Sequence, residues 1–182
     1  MEAVVEDELK RLEDLGVITP VTYVDWAAPI VADRTSPFVF EQIFTVLNSA
    51  LESSSYPLPL PKDIFNRMGN CLMFSHIDLS DAYLQVEFDE ESRKLITINT
   101  HKELYRFNRL SPQVKSAPGA FQQIMDAMLS GLSCTSPYLD DILVGGRTVE
   151  EHKQNLYRVL QRLKEYGFTV KFEKCRFFMR KM

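Results

Sequence analysis

The sequence predicts an α+β fold, with helices packed on one face of a mainly antiparallel sheet. Three observations predict it. Two long segments, 116–132 and 149–166, carry apolar residues at helical spacing. Short apolar runs around them, at 72–79, 136–138 and 142–144, have the length of strands. The order through the second half is strand, strands, helix, strand pair, helix, strand.

The elements follow in order. Glu2 to Leu15 reads as an amphipathic helix, with Val5, Leu9, Leu12 and Leu15 on one stripe and Gly16 as its stop. Pro20, Trp26 and Pro29 then break up an extended stretch. Ser36 to Leu47 is apolar without a clear period and is assigned to no element. Ser53 to Pro61 is a serine-proline connector. Lys62 to Met68 reads as a short helix, and Leu72 to Leu79 as a buried strand that delivers Asp78 near its end. Tyr83 to Phe88 alternates and is predicted to be extended. Leu95 to Asn99 and Leu104 to Asn108 are two further strands, with His101 and Lys102 at the turn.

Ser116 to Leu132 is a helix with Pro118 in its first turn, where a missing N–H costs little. Phe121, Ile124, Met125, Met128 and Leu129 form its core stripe. Two short strands follow, around Ser136–Tyr138 and Ile142–Val144, with Asp140 and Asp141 close to the tight turn and Gly145-Gly146 ending the hairpin. Val149 to Tyr166 is a long helix that stops at Gly167. Phe168 to Phe178 reads as a last strand or strand-like tail.

The totals bound the function. With 182 residues, 45% of them hydrophobic, the chain is long enough for one compact domain or part of a larger one. No stretch is long and apolar enough to cross a bilayer and no signal-peptide pattern opens the sequence, so a soluble intracellular protein with no membrane partner is expected. Cys71, Cys134 and Cys175 are far apart and odd in number. They suit reduced, mostly buried thiols better than a disulfide frame or a zinc site. The net charge of −4 argues mildly against a nucleic-acid binder. Its distribution is uneven: three acids and nine bases fall between Glu151 and Met182. That basic end fits a surface facing phosphates, and equally a solvated helix face.

The sharpest chemical feature is Tyr138-Leu139-Asp140-Asp141-Ile142-Leu143-Val144. Two adjacent acids inside an apolar run fit either an exposed turn or a carboxylate pair that needs a cation. A second acid at the end of an apolar strand, Asp78 in Phe74-Ser75-His76-Ile77-Asp78-Leu79, favours the cation. If the two strands are neighbours, three carboxylates meet at one sheet edge. Such a set can hold two divalent ions for in-line phosphoryl transfer. His76, His101 and His152 share no metal-binding spacing and read as structural or surface residues.

These stretches are recognisable. Phe74 to Gln85, running Phe-Ser-His-Ile-Asp-Leu-Ser-Asp-Ala-Tyr-Leu-Gln, resembles the first catalytic motif of reverse transcriptases from gypsy-class LTR retrotransposons. Tyr138 to Val144 resembles the third. Leu104 to Leu110, Val114 to Pro118 and Ala120 to Gln122 resemble the second. Glu151 to Gly167 and Glu173 to Phe178 resemble the end of the palm, and Gly16–Ile18 with Trp26–Val31 the start of the fingers. The resemblance implies a right-hand polymerase: fingers over 1–61, and a ferredoxin-like palm over 62–182 with fingers strands inserted at about 89–115. Thumb and RNase H are absent from this stretch.

The resemblance also implies roles. Asp78, Asp140 and Asp141 would be the metal triad, with the Leu79 carbonyl as a further ligand, for two magnesium ions or manganese in their place. Tyr83 would sit under the sugar of an incoming dNTP and exclude a 2′-hydroxyl. Tyr138 would lie near the primer end, and Pro118 and Gln122 close to the template. Implied partners are an RNA or DNA template with its primer, dNTPs and the rest of a Pol polyprotein, in cytoplasm or a virus-like particle.

Three features depart from the family pattern. Ala32 to Val46 lacks the expected glycine and holds one base, Arg34, where basic residues would grip a triphosphate; a shifted reading frame would explain it. Leu110-Ser111-Pro112-Gln113 replaces a glycine of the nucleotide pocket with Gln113. The sequence ends about where a primer-gripping hairpin would begin. A catalytically inactive relic that only binds nucleic acid or protein is therefore the alternative, with an RNA-dependent RNA polymerase as a weaker rival that Tyr83 opposes.

Overall fold

The computed structural model describes residues 2–24, 26–29, 48–49 and 56–180. The divergent stretch 32–46 lies outside them. The chain divides into two compact units, Met1–Ser54 with Tyr83–Ala117, and Ser55–Ala82 with Pro118–Met182.

The first unit opens with helix α1, Glu2–Asp14. Gly16, at φ +66°, ends it: its N–H reaches the Glu13 carbonyl at 2.8 Å, and the Val17 N–H reaches Leu12 at 2.8 Å. That is a left-handed cap that satisfies the helix's last carbonyls. The sheet of this unit has the order β1-β5-β4-β2. Its strands are β1 (Ile18–Val21), β2 (Ala28–Pro29), β4 (Thr97–Asn99) and β5 (Leu104–Phe107). β1 and β4 flank β5 antiparallel, and β2 joins β4 in parallel. Leu9, Leu12, Ile18, Ile98, Tyr105 and Phe107 are buried here.

The segment expected to be extended, Tyr83 to Phe88, is not a strand. Ala82–Gln85 forms a 3₁₀ turn, and only Glu87 pairs, with Arg109. The reason lies 24 and 25 residues away in sequence. The Arg109 guanidinium donates to the carbonyls of Leu84 and Gln85 at 3.4 and 3.3 Å, and to Glu87 at 3.1 Å. Those carbonyls are the open end of the turn, so a tertiary contact supplies what the next helical turn would have. Helix α3, Glu90–Leu95, is also absent from the sequence reading. Asp89 caps it by accepting the Ser92 N–H at 2.8 Å.

The second unit holds a sheet of order β6-β7-β3-β8, antiparallel throughout: β3 (Met73–Asp78), β6 (Thr135–Tyr138), β7 (Asp141–Gly146) and β8 (Arg176–Met179). Its helices are α2 (Pro61–Met68), α4 (Ala117–Met128) and α5 (Val149–Glu165). Helix α5 packs on β7 and β3. Ile77, Phe121, Met125, Met128, Ile142, Val144 and Val159 are fully buried, and Phe121 meets Phe168 edge to face. Thr148 caps α5 by accepting the Glu151 N–H, and Gly167, at φ +76°, ends it as Gly16 ends α1.

Two readings in this unit need correction. Gly145 and Gly146 do not end the hairpin but continue β7, opposite Phe74 and Met73. Of Phe168 to Phe178, only the last residues are strand; a 3₁₀ turn at Phe172–Lys174 precedes β8.

Candidate active site

The register of β3 against β7 builds the site. Asp78 ends β3 and Asp141 begins β7, and the two are direct cross-strand partners. Like charges in facing positions repel, so such a rung needs positive charge nearby. Lys174 supplies it, and His76 adds a hydrogen bond. Lys174 Nζ lies 3.7 Å from Asp78 Oδ2, and His76 Nε2 lies 2.8 Å from Asp141 Oδ1. The Asp78 side chain is 13% exposed and that of Asp141 45%. The last turn before β8 also closes on this end of β3: the Lys171 N–H donates to the Asp78 carbonyl at 2.8 Å.

Asp140 is exposed in the turn, and its carbonyl accepts the Leu79 N–H at 3.1 Å. The turn itself is a two-residue loop, Leu139-Asp140, between Tyr138 and its partner Asp141. Leu139 sits at φ +53°. A tight hairpin of this kind demands positive φ at its first central residue, and a leucine there is strained. Gln122 of α4 holds it. The Gln122 Oε1 accepts the Leu139 N–H at 2.8 Å, and its Nε2 donates to the Pro137 carbonyl at 3.1 Å.

Among the described residues, no three His, Cys, Asp or Glu side chains stand close enough together to hold a metal ion. The donor chemistry nonetheless fits a hard divalent cation. Asp78 and Asp141 are partners on one rung, with Asp140 next in the chain, and Asp78 already draws the Lys174 ammonium.

The site residues expected from sequence divide into groups. Asp78, Leu79, Asp140 and Asp141 come together at one end of the β3–β7 ladder. Tyr138, 40% exposed, flanks the same turn. Pro118 lies in the first turn of α4, half-buried. Gln122 is fully buried, and both ends of its amide are engaged by the hairpin. Tyr83 and Gln113 belong to the other unit. Tyr83 is half-buried in the 3₁₀ turn. The Gln113 carbonyl accepts from Asn48 Nδ2 at 2.8 Å, while Asn48 Oδ1 accepts the Lys115 N–H at 2.7 Å, which braces the turn before α4.

Sequence reasoning missed two residues of the site. His76 sits two positions before Asp78, on the same face of β3, and that spacing was the available signal. Lys174 had none, because the 3₁₀ turn that carries it was read as strand.

The family model described as reverse transcriptase (RNA-dependent DNA polymerase) matches residues 34–182. An uncharacterized Caenorhabditis elegans protein is 46% identical over 178 residues, covering 95% of this chain and 14% of that protein. The Pol polyprotein of transposon 412 from Drosophila melanogaster is 36% identical over 135 residues, covering 73% of this chain and 11% of that protein. The chain thus spans a small part of the relatives it matches. A foamy viral protease-reverse transcriptase solved with double-stranded DNA aligns over 99% of this chain and 32% of its own, with TM-score 0.82 and 19% identity. A second, solved with an RNA/DNA hybrid, aligns with TM-score 0.83 and 21% identity over 97% of this chain and 24% of its own. These likenesses establish the fold, the fingers and palm of a right-hand polymerase. The match over most of the chain shows that the chain belongs to the reverse transcriptase (RNA-dependent DNA polymerase) family.

Proposed function

We propose that this chain is the fingers and palm of an RNA-directed DNA polymerase from a retrotransposon Pol polyprotein, and that it adds dNTPs to a primer 3′-hydroxyl. The observation that carries the reading is the Asp78–Asp141 rung with Asp140 beside it. Asp78, Asp140 and Asp141 would hold two magnesium ions, with the Leu79 carbonyl as a further oxygen donor. Bound there, divalent ions supply activation of the attacking oxygen and charge neutralisation on the leaving one.

The chain's own residues do the rest. Gln122 fixes the hairpin, so Asp140 and Asp141 are placed before substrate arrives. His76 orients the Asp141 carboxylate through its Nε2. Tyr138 beside the turn suits the primer terminus, and Pro118 at the head of α4 the template side. Tyr83 and Gln113 are proposed to line the nucleotide pocket, with Tyr83 excluding a 2′-hydroxyl and so selecting dNTPs.

RNA-templated primer extension by the chain, with magnesium and dNTPs, tests this. Incorporation lost in Asp140→Asn supports the polymerase. No incorporation by a folded chain that still binds template-primer would leave only a binding module. Of the segments that favour an inactive relic, 32–46 lies outside the described residues while Ser111 to Gln113 lies within them, and the family match begins at residue 34.

A further inference from the structure

The end of the second unit's sheet away from the carboxylates carries a separate chemistry. Cys71 precedes β3 and Cys134 precedes β6, and these strands run the same way, each antiparallel to β7. Gly145 of β7 lies between the two cysteines. Its N–H donates to the Cys134 carbonyl at 2.7 Å, and a Cβ added to it would stand 2.6 Å from Cys71 Sγ. The glycine is what lets the Cys71 sulfur lie over the strand. Cys134 packs against the cluster of Met68, Cys71 and Phe74.

The two thiols differ in access. Cys71 is buried. Desolvation, then the Cys134 sulfur, push its pKa up to about 12, so it stays a thiol at neutral pH. Cys134 is half-buried and lines an open polar cleft of about 510 Å³ with Tyr56, Arg67, Asp126 and Thr135. A small polar oxidant can therefore reach Cys134 before Cys71. Cys134 also sits at φ +51°, held at the mouth of this cleft by its strand neighbours.

We infer that Cys71 and Cys134 form a peroxide-oxidisable dithiol, with Cys134 the thiol attacked and Cys71 the resolving partner. The Cys134 thiolate takes the terminal oxygen of hydrogen peroxide, the O–O bond breaks, and one water leaves after protonation. The product is Cys134 sulfenic acid. The Cys71 sulfur then displaces that hydroxyl, its own S–H proton leaves with the hydroxyl as a second water, and the S–S bond forms. Each peroxide is reduced to two waters as two thiols become one disulfide. The product clamps the start of β3 to the start of β6. Cys175 takes no part; its Sγ donates to the Lys171 carbonyl at 3.4 Å at the other end of the sheet.

The test treats the folded chain with hydrogen peroxide, blocks remaining thiols with N-ethylmaleimide in denaturant, and maps the digest by mass spectrometry without reduction. The expected result is a peptide pair joined through Cys71 and Cys134, lost on reduction, with Cys175 carrying maleimide. Cys71→Ser should then drive Cys134 on to sulfinic acid, while Cys134→Ser should leave Cys71 maleimide-labelled. Maleimide on Cys71 in the oxidised parent chain would overturn the inference. So would the same linkage, at equal yield, from chain oxidised while unfolded in urea.

Discussion

The buried amide of Gln122 accepts the backbone N–H of Leu139 at 2.8 Å, and so holds a strained residue next to Asp140. Helix α4 and the carboxylate hairpin are therefore one mechanical piece. A leucine at φ +53° costs roughly 1–3 kcal/mol and persists only where its surroundings over-determine it. Here a fully buried glutamine does so, at Pro137 before the turn and at Leu139 within it.

Replacing Gln122 by leucine keeps the volume and removes both bonds. The Leu139 N–H and Pro137 carbonyl then lose their partner, at about 1–3 kcal/mol for each buried group. Urea unfolding should show a loss of about 2–6 kcal/mol. Hydrogen exchange should quicken at Leu139 before β7 opens. A loss of polymerase activity with unchanged exchange at Leu139 would point to a direct contact with substrate instead.

Gly146→Ala should be among the most damaging single changes in the second unit. Its Cβ would meet His152 backbone nitrogen at 2.5 Å and Cα at 2.6 Å. Backbone cannot swing aside as a side chain does, so β7 and α5 must separate, at a cost of about 1–3 kcal/mol or more. Thermal unfolding checks this. An unshifted midpoint would mean that α5 is free to slide.

His152 gives a pH dependence. It is fully buried, its Nε2 is 2.8 Å from Ser75 Oγ, and Ser75 Oγ also accepts the Phe178 N–H at 3.2 Å. Burial lowers its pKa from 6.5, against a smaller opposing effect of the Gly145 backbone. The folded state therefore prefers neutral imidazole. Above 6.5 both states hold it neutral, and its contribution is fully present. As pH falls below 6.5 the unfolded chain takes up a proton first, and stability drops until the lowered folded pKa is passed. Urea midpoints at about pH 8 and about pH 5 should differ more for the parent chain than for His152→Gln. Equal differences would remove His152 as the cause.

The carboxylate strands were legible because Asp78 closes one apolar run and Asp141 opens another. The helix stops at Gly16 and Gly167 were legible for a similar reason, since positive φ is a local demand that glycine meets. What stayed hidden depends on distant partners. The 3₁₀ turn carrying Tyr83 alternates like a strand and is set by Arg109. His76 has no metal-like spacing because its partner, Asp141, lies across the sheet. Gln122 interrupts an apolar helix stripe, but only the hairpin above it explains why. Gly145 and Gly146 look like a turn in sequence, yet they serve close approach of Cys71 and His152. Asp89 with Ser92 was a readable cap signal that the alternation of Tyr83 to Phe88 overshadowed.

The central claim is that Asp78 and Asp141 act as a pair on one rung to hold a divalent cation for nucleotidyl transfer. Manganese binding to the chain with template-primer, read by the loss of free-ion electron paramagnetic resonance signal, tests it most directly. Asp78→Asn and Asp141→Asn should each weaken binding by roughly tenfold or more, a loss of about 1.4 kcal/mol or more, with the fold intact by circular dichroism. Manganese binding unchanged in the folded double variant would contradict the account.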